Sequence, residues 1–256
     1  MGRLNDREVV LIDSNADLIG CYESVRDHPG PINDALSALA TGHARLGSAH
    51  YYHVRDHRFN PLRDARRSPD GRIAYTPELA AMLIYLNRTG FNGLFRVNAR
   101  GSFNVPVGRY LKPAIVDPVR LHQVSAALCG PRVRLVWGSF DKVDTIATRG
   151  DFLYIDPPYA PLSRTSSFTA YTQPRFDLPD QRRLQALVVA LARRGCQLLL
   201  SNSTAPEIGA LYDTNHEART SGLRAVRVPA RRAVNSNATR RGPVEEFLIT
   251  NIKADS

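Results

Sequence analysis

The chain has 256 residues, 43% of them hydrophobic and 23% charged, the balance of a globular protein with a real core. Its 34 Lys and Arg outnumber 24 Asp and Glu, a formal net charge of +10, and a basic surplus of this kind suits a polyanionic partner, nucleic acid first. No run reaches the roughly 18 apolar residues of a membrane span, and three scattered cysteines without a CxxC pair exclude a disulfide framework or a zinc-cysteine site.

The N-terminus lacks the apolar segment of a signal peptide, so a cytoplasmic location is expected. Glu8 to Asp13 (EVVLID) reads as a short strand ending in a carboxylate. The next stretch, ADLIGCYESVRDH, places Leu18, Ile19, Tyr22 and Val25 at helical spacing. HARLGSAHYYHVRDHRFNPL reads as helix and loop. In TPELAAMLIYLNR, Thr76 can cap, Pro77 fits the first turn and Glu78 suits the positive end, with a stop near Thr89-Gly90.

Phe91 to Tyr110 (FNGLFRVNARGSFNVPVGRY) alternates small polar residues with Phe95, Val97, Phe103, Val105 and Val107. Asn98-Ala99-Arg100-Gly101 can turn between two extended arms, so a hairpin is expected. DPVRLHQVSAAL reads as helix, and VRLVWGSF and DFLYIDPPY as strands. DLPDQRRLQALVVALARRG is a helix with Asp177 as its cap, a stripe through Leu184, Leu187, Val188 and Leu191, and Gly195 as its stop. CQLLLSNS and FLITNI complete the strands. Strand and helix alternate in the second half, which predicts an α/β fold with a mostly parallel sheet. Residues 27–130 interrupt that pattern as a helix-rich insertion.

In open α/β sheets, ligands gather beyond the carboxyl ends of the strands. Three such ends here are polar: Asp13, Asp156-Pro157-Pro158-Tyr159, and Ser201-Asn202-Ser203. Asp13 can accept from ribose hydroxyls or belong to the cap of the next helix. The proline pair stiffens its corner and removes two donors. What is left is rich in acceptors, the Asp156 carboxylate and the Pro157 carbonyl, with the Tyr159 ring as a stacking face. The complementary ligand is an exocyclic amine on a flat ring.

Asp156-Pro157-Pro158-Tyr159 resembles the catalytic tetrapeptide of amino-group DNA methyltransferases. The strings DPPYAPLSRTSSFTAY and YLNRTGFNGLFRVNARGSFNVPVGRY narrow the resemblance to DNA adenine N6-methyltransferases of the GATC type, and LIDSNADLI and NSNATRRGPVEEFLI are similar to the same family. The resemblance implies a Rossmann-like, S-adenosylmethionine-dependent methyltransferase sheet with a helical target-recognition insertion carrying a β-hairpin. Residues 1–26 and 131–256 would then form the catalytic core, and residues 27–130 the DNA-binding insertion.

By position, the family implies that Asp156, Pro157, Pro158 and Tyr159 act on the flipped adenine. Asp13, Phe140 and Asp156 would lie by S-adenosylmethionine. Phe91 and Asn92 would fill the space left in the duplex, and Arg96, Pro106, Arg109 and Tyr110 would read neighbouring bases. Phe91 stands where tyrosine is more usual, keeping the stacking face without the hydroxyl. Arg240, in a basic stretch with Arg231, Arg232 and Arg241, would contact phosphate. The partner is double-stranded DNA, bound by a monomer, and no metal is needed. His50, His53 and His57 could face one side of a helix and hold zinc, but the family carries a plain amphipathic helix there.

The chain departs from the family at its start. The opening Trp-Ala-Gly-Gly-Lys segment and the strand with Phe-x-Gly-x-Gly are absent, and no GxG occurs in the sequence. Glu8 to Asp13 corresponds to the second strand of the cofactor domain. A start assigned too late is the first expectation, and a DNA-binding relic without methylation is the alternative. A sheet lacking its central strand should expose two edges and hold cofactor poorly.

Overall fold

Val9–Asp13 forms the first strand, β1, as its β-branched residues favour. The computed structural model describes residues 7–162, 176–231 and 243–253, which divide between two units, Met1–Phe140 and Asp141–Ser256.

In the first unit, helix α1 (Ala16–Asp27) starts at Asn15, whose side chain accepts the Asp17 and Leu18 amides. Helix α2 (Pro29–Leu46) follows. It opens on Pro29-Gly30-Pro31, a stretch given no reading from sequence, and proline tolerates the first helical turn, where its missing N–H has no partner to lose. A third helical run combines α3 (Ser48–His53), a π-helical stretch (Val54–Phe59) and α4 (Asn60–Ala65). Sequence alone divides this region into helix and loop, whereas the chain stays helical by widening its turn.

Helix α5 (Pro77–Thr89) is capped by the Thr76 hydroxyl, which accepts the Leu79 amide at 3.2 Å. It is the centre of the unit, with Leu79, Met82, Tyr85 and Leu86 fully buried against Ile32, Leu36, Tyr51 and Phe59. Burial of each such large side chain is worth about 1.5–3 kcal/mol. Helix α6 (Pro118–Leu128) starts at Asp117, whose carboxylate accepts the Arg120 amide. Strand β2 (Val133–Trp137) runs parallel to β1, with Val9 opposite Val133 and Asp13 opposite Trp137.

The second unit contains α7 (Val143–Ile146), β3 (Phe152–Ile155), α8 (Leu178–Arg194) and β4 (Gln197–Ser203). It continues through α9 (Pro206–Ile208), a π-helical stretch (Gly209–Asp213) and α10 (His216–Thr220) to β5 (Arg224–Arg231) and β6 (Pro243–Thr250). Asp177 and Asp180 close a capping box on α8, and Gly195 ends the helix at φ 93°. That left-handed conformation favours glycine. Leu184, Val188 and Leu191 of α8 pack into a core that also buries Leu198, Leu200, Tyr212, Phe247 and Ile249.

The four strands lie in the order β3-β4-β6-β5. β3 and β4 are parallel, whereas β6 runs antiparallel to both β4 and β5. This sheet is therefore mixed rather than mostly parallel. β5, unread in the sequence, is an edge strand, where Pro229 is tolerated because one side of the strand needs no ladder donors.

The strands form two sheets, one of two strands and one of four. β3 ends the larger sheet with Phe152 and Tyr154 more than half exposed. Among the described residues no strand pairs with its outer edge.

Candidate active site

At the end of β3 the apolar run gives way to Asp156, which is exposed, and Pro157, which is buried. The corner is held from β4 and α8. Asn202, fully buried, accepts the Ala160 amide at 3.1 Å and donates to Gln181 Oε1 at 3.1 Å. Gln181, also buried, donates to the Pro158 carbonyl at 3.0 Å, and the Ser203 hydroxyl donates to the Ala160 carbonyl at 2.6 Å. These bonds occupy the inner polar groups of the turn.

The outer groups behave differently. Ser201 donates to one Asp156 oxygen at 2.9 Å. Neither the second Asp156 oxygen nor the Pro157 carbonyl has a donor among the described residues. These two acceptors, on residues adjacent in sequence, are unmatched among the described residues, and an amino group has two N–H donors to offer such a pair. Tyr159 donates to Glu246 at 3.2 Å and keeps a ring 38% exposed. Partial burial raises the Tyr159 phenol above its ordinary value; Ser201 opposes this, and the Glu246 and Asp156 carboxylates add to it.

In the first unit, Asp13 and Phe140 sit at the same end of the two-stranded sheet. The Gly138 amide donates to the Asp13 carbonyl at 3.0 Å, and Phe140 opens a 3-10 turn two residues later. Asp13 does not cap α1 itself. Its Oδ1 accepts the amide of Asn15, the actual cap, at 2.7 Å, which leaves Oδ2 without a partner among the described residues.

The expected hairpin forms. Val97 and Phe103 bridge as an antiparallel pair, and the turn is closed by bonds from Gly101 and Asn98 amides to the Asn98 and Ser102 carbonyls. Gly101 takes φ 80°, and Asn98 Oδ1 accepts the Arg100 and Ser102 amides. Phe103 and Val105 are buried in the core, so the second arm is anchored. Arg96 and Arg109 are exposed on opposite arms. The Arg96 guanidinium rests on Asn104, with Nε to Oδ1 at 2.8 Å and Nη2 to the carbonyl at 3.2 Å.

Phe91 is 46% exposed at the end of α5, and the Pro106 carbonyl accepts its amide at 2.8 Å. Asn92 takes φ 54°, the one described non-glycine residue with positive φ. Asparagine tolerates that region better than most residues, and such outliers cluster at functional sites. Tyr110 is exposed, its ring lying across Gly108, where a Cβ would meet it.

Arg240 lies outside the described residues. The histidines form no metal group among the described residues: His50 packs on Gly42 and against Tyr85, and His53 meets His57 at 5.6 Å between ring centres. Ser201 lies in the polar strand end Ser201-Asn202-Ser203 that the sequence marks, whereas Gln181, Glu246 and Asn104 were not singled out in the sequence. Gln181 had a signal, since it shares the spacing of Leu184 and Val188 and so puts a polar residue on the buried stripe of α8. Glu246 had none, because its partner Tyr159 is remote in sequence.

Helices and sheets together make this a mixed α/β protein. Residues 3–226 match the model of the D12 class N6 adenine-specific DNA methyltransferases. The chain is 38% identical to the type II methyltransferase M1.LlaDCHI of Lactococcus lactis subsp. cremoris, over 97% of this chain and 81% of that one. It is 36% identical to the type II methyltransferase M.MjaIII of Methanocaldococcus jannaschii, over 96% and 80%. It is 33% identical to the DNA adenine methylase of Escherichia coli K12, over 93% and 77%. The chain belongs to the D12 class N6 adenine-specific DNA methyltransferase family.

Proposed function

We propose that this family member transfers a methyl group from S-adenosylmethionine to adenine N6 in GATC sites of double-stranded DNA. The observation that carries the reading is the pair of open acceptors at Asp156 and Pro157. They would accept both N6 protons, orient the nitrogen lone pair outward, and hold it for in-line attack. Tyr159 would stack on the extruded base. The bound cofactor supplies an electrophilic methyl on a sulfonium. Transfer of that methyl to N6 would leave a surplus N6 proton, which Asp156 or water would take up.

The residues fit the nucleoside end of that cofactor: Asp13 Oδ2 is an open acceptor for ribose hydroxyls, and Phe140 is an aromatic at the same strand end. No glycine-loop sequence is present to add close backbone contacts. Residues 27–130 would serve as the target-recognition insertion on a core of residues 1–26 and 131–256. Phe91 and Asn92 would enter the duplex, Arg96 and Arg109 would read guanine edges, and Pro106 and Tyr110 would flank them. Arg240 would neutralise phosphate. A match over 97% of this chain to a methyltransferase supports an enzyme over an inactive DNA-binding relic.

The test uses labelled S-adenosylmethionine and a GATC duplex. Label should appear on adenine N6, and Asp156→Ala should abolish it while changing duplex affinity less than about threefold, since Asp156 contributes to one base only. Near-normal turnover by Asp156→Ala would end the assignment.

A further inference from the structure

The second hairpin arm is held by its main chain as well as by its buried Phe103 and Val105 side chains. Four polar residues of the Ser48–Ala65 run reach alternate residues of that arm. Tyr51 and Arg55 donate to the Val105 carbonyl at 2.9 and 3.0 Å. Asn60 bonds both backbone groups of Phe103, at 3.0 and 2.8 Å. Arg63 donates through Nη1 to the Gly101 carbonyl at 2.6 Å. The π-helical stretch lies within this run, and a wider turn of that kind shifts the residues after it relative to those before, a device frequent at functional sites.

Arg63 does more than its neighbours. Its other fork edge, Nε and Nη2, grips both Asp17 oxygens at 2.6 and 2.8 Å, and both side chains are only 4% exposed. Tyr75 also donates to Asp17 at 2.8 Å. Burial disfavours the Arg63 charge, but the bonds to Asp17 outweigh it and the guanidinium is held more firmly protonated. Asp17 lies in the first turn of α1, on the cap whose Asn15 amide binds Asp13. One planar guanidinium therefore joins the hairpin turn to the helix that follows the Asp13 strand end, a geometry lysine cannot reproduce.

We propose that Arg63 is a positioning residue for target recognition, which registers the base-reading hairpin against the first turn of α1. The proposal rests on the reading of the hairpin as the DNA-reading element. It does not require Arg63 to touch DNA, and its burial excludes that. Loosening this joint lets the hairpin tip move, so the cognate complex loses its geometry while phosphate binding persists.

The test compares wild type, Arg63→Lys, Arg63→Gln and Arg96→Ala. Affinity is measured by fluorescence anisotropy for a GATC duplex and for one with a single base pair changed. Hydrogen exchange of the Gly101, Phe103 and Asn104 amides is measured without DNA. Arg63→Lys keeps the buried charge and folds even where Arg63→Gln does not. The expected result is a drop of about tenfold or more in the cognate-to-altered ratio, the scale of one lost base contact, with faster exchange in the hairpin and unchanged exchange in α5. Equal loss on both duplexes, or none, while Arg96→Ala lowers the ratio, overturns the proposal and leaves the hairpin reading standing. If Arg96→Ala leaves the ratio unchanged, the hairpin reading fails and the role of Arg63 falls with it.

Discussion

Asn202→Ala gives the most direct test of how the Asp156 corner is held. Asn202 is fully buried, and its amide serves three partners: the Ala160 N–H at 3.1 Å, the Ser203 N–H at 2.9 Å and Gln181 Oε1 at 3.1 Å. Alanine leaves two amides and one side-chain carbonyl without their partner in a site that holds no other described group for them. An unsatisfied buried polar group costs about 1–3 kcal/mol. Gln181 keeps its bond to Pro158 and can adjust, and water can enter the space, so the sum should fall near the low end, about 3 kcal/mol. Urea unfolding followed by circular dichroism measures this directly. Asn202→Asp separates the contributions, because it keeps both acceptors but replaces the donor to Gln181 with a buried charge, and it should be at least as destabilising. A loss below about 1 kcal/mol for Asn202→Ala would refute the reasoning, and the stiffness of the two prolines would then be enough to hold the turn.

Three further outcomes are expected. Tyr159→Phe should keep most methyl transfer, because the ring remains and only hydroxyl contacts such as the 3.2 Å bond to Glu246 and the one with Ser201 are lost, whereas Tyr159→Ala should lower kcat/KM about tenfold or more through lost stacking; equal effects would place the role in the hydroxyl. Phe91→Ala should weaken binding of an intact duplex but much less that of one with an abasic gap opposite the target, as measured by gel shift, and equal weakening would argue against insertion. Burial holds His43 and His50 below their ordinary 6.5, and Arg45, Arg58, His43 and His53 add to the effect on His50. A depressed folded-state pKa means that the unfolded chain takes up protons first on acidification. Their contribution to stability is therefore complete above pH 6.5 and is lost as pH falls through the lowered values. Thermal melts between pH 7.5 and 5 should show the drop, and the His43→Gln, His50→Gln double variant should flatten it.

The sequence carried local signals faithfully and long-range ones unevenly. The caps at Thr76, Asp117 and Asp177 and the stop at Gly195 all sit where the residue types place them, because capping is settled within three or four residues. The start of α2 was hidden by Pro29 and Pro31, whose turn character yields once the Ile32, Leu36 and Leu39 face finds its core. Strand direction was less legible. Nothing within FLITNI says that β6 opposes β4, since pairing depends on partners nearly 50 residues apart. At the candidate site, Asp156 to Tyr159 and Ser201 were visible as polar strand ends, while Gln181 and Glu246 gain their contacts only from the fold that brings them there.

The arrangement also explains why a stable protein can keep two acceptors open. An unbonded carbonyl and a half-bonded carboxylate would normally cost stability or draw in the nearest donor. Among the described residues the neighbouring donors are engaged: Asn202 with Gln181, Gln181 with Pro158, Ser203 with Ala160, and Ser201 with one Asp156 oxygen. The prolines contribute no amide at the positions where a local bond would otherwise form. The corner thus keeps unused acceptor capacity because its surroundings are satisfied among themselves. Electrostatic preorganisation requires this condition, namely acceptors fixed before the substrate arrives and needing no rearrangement when it does.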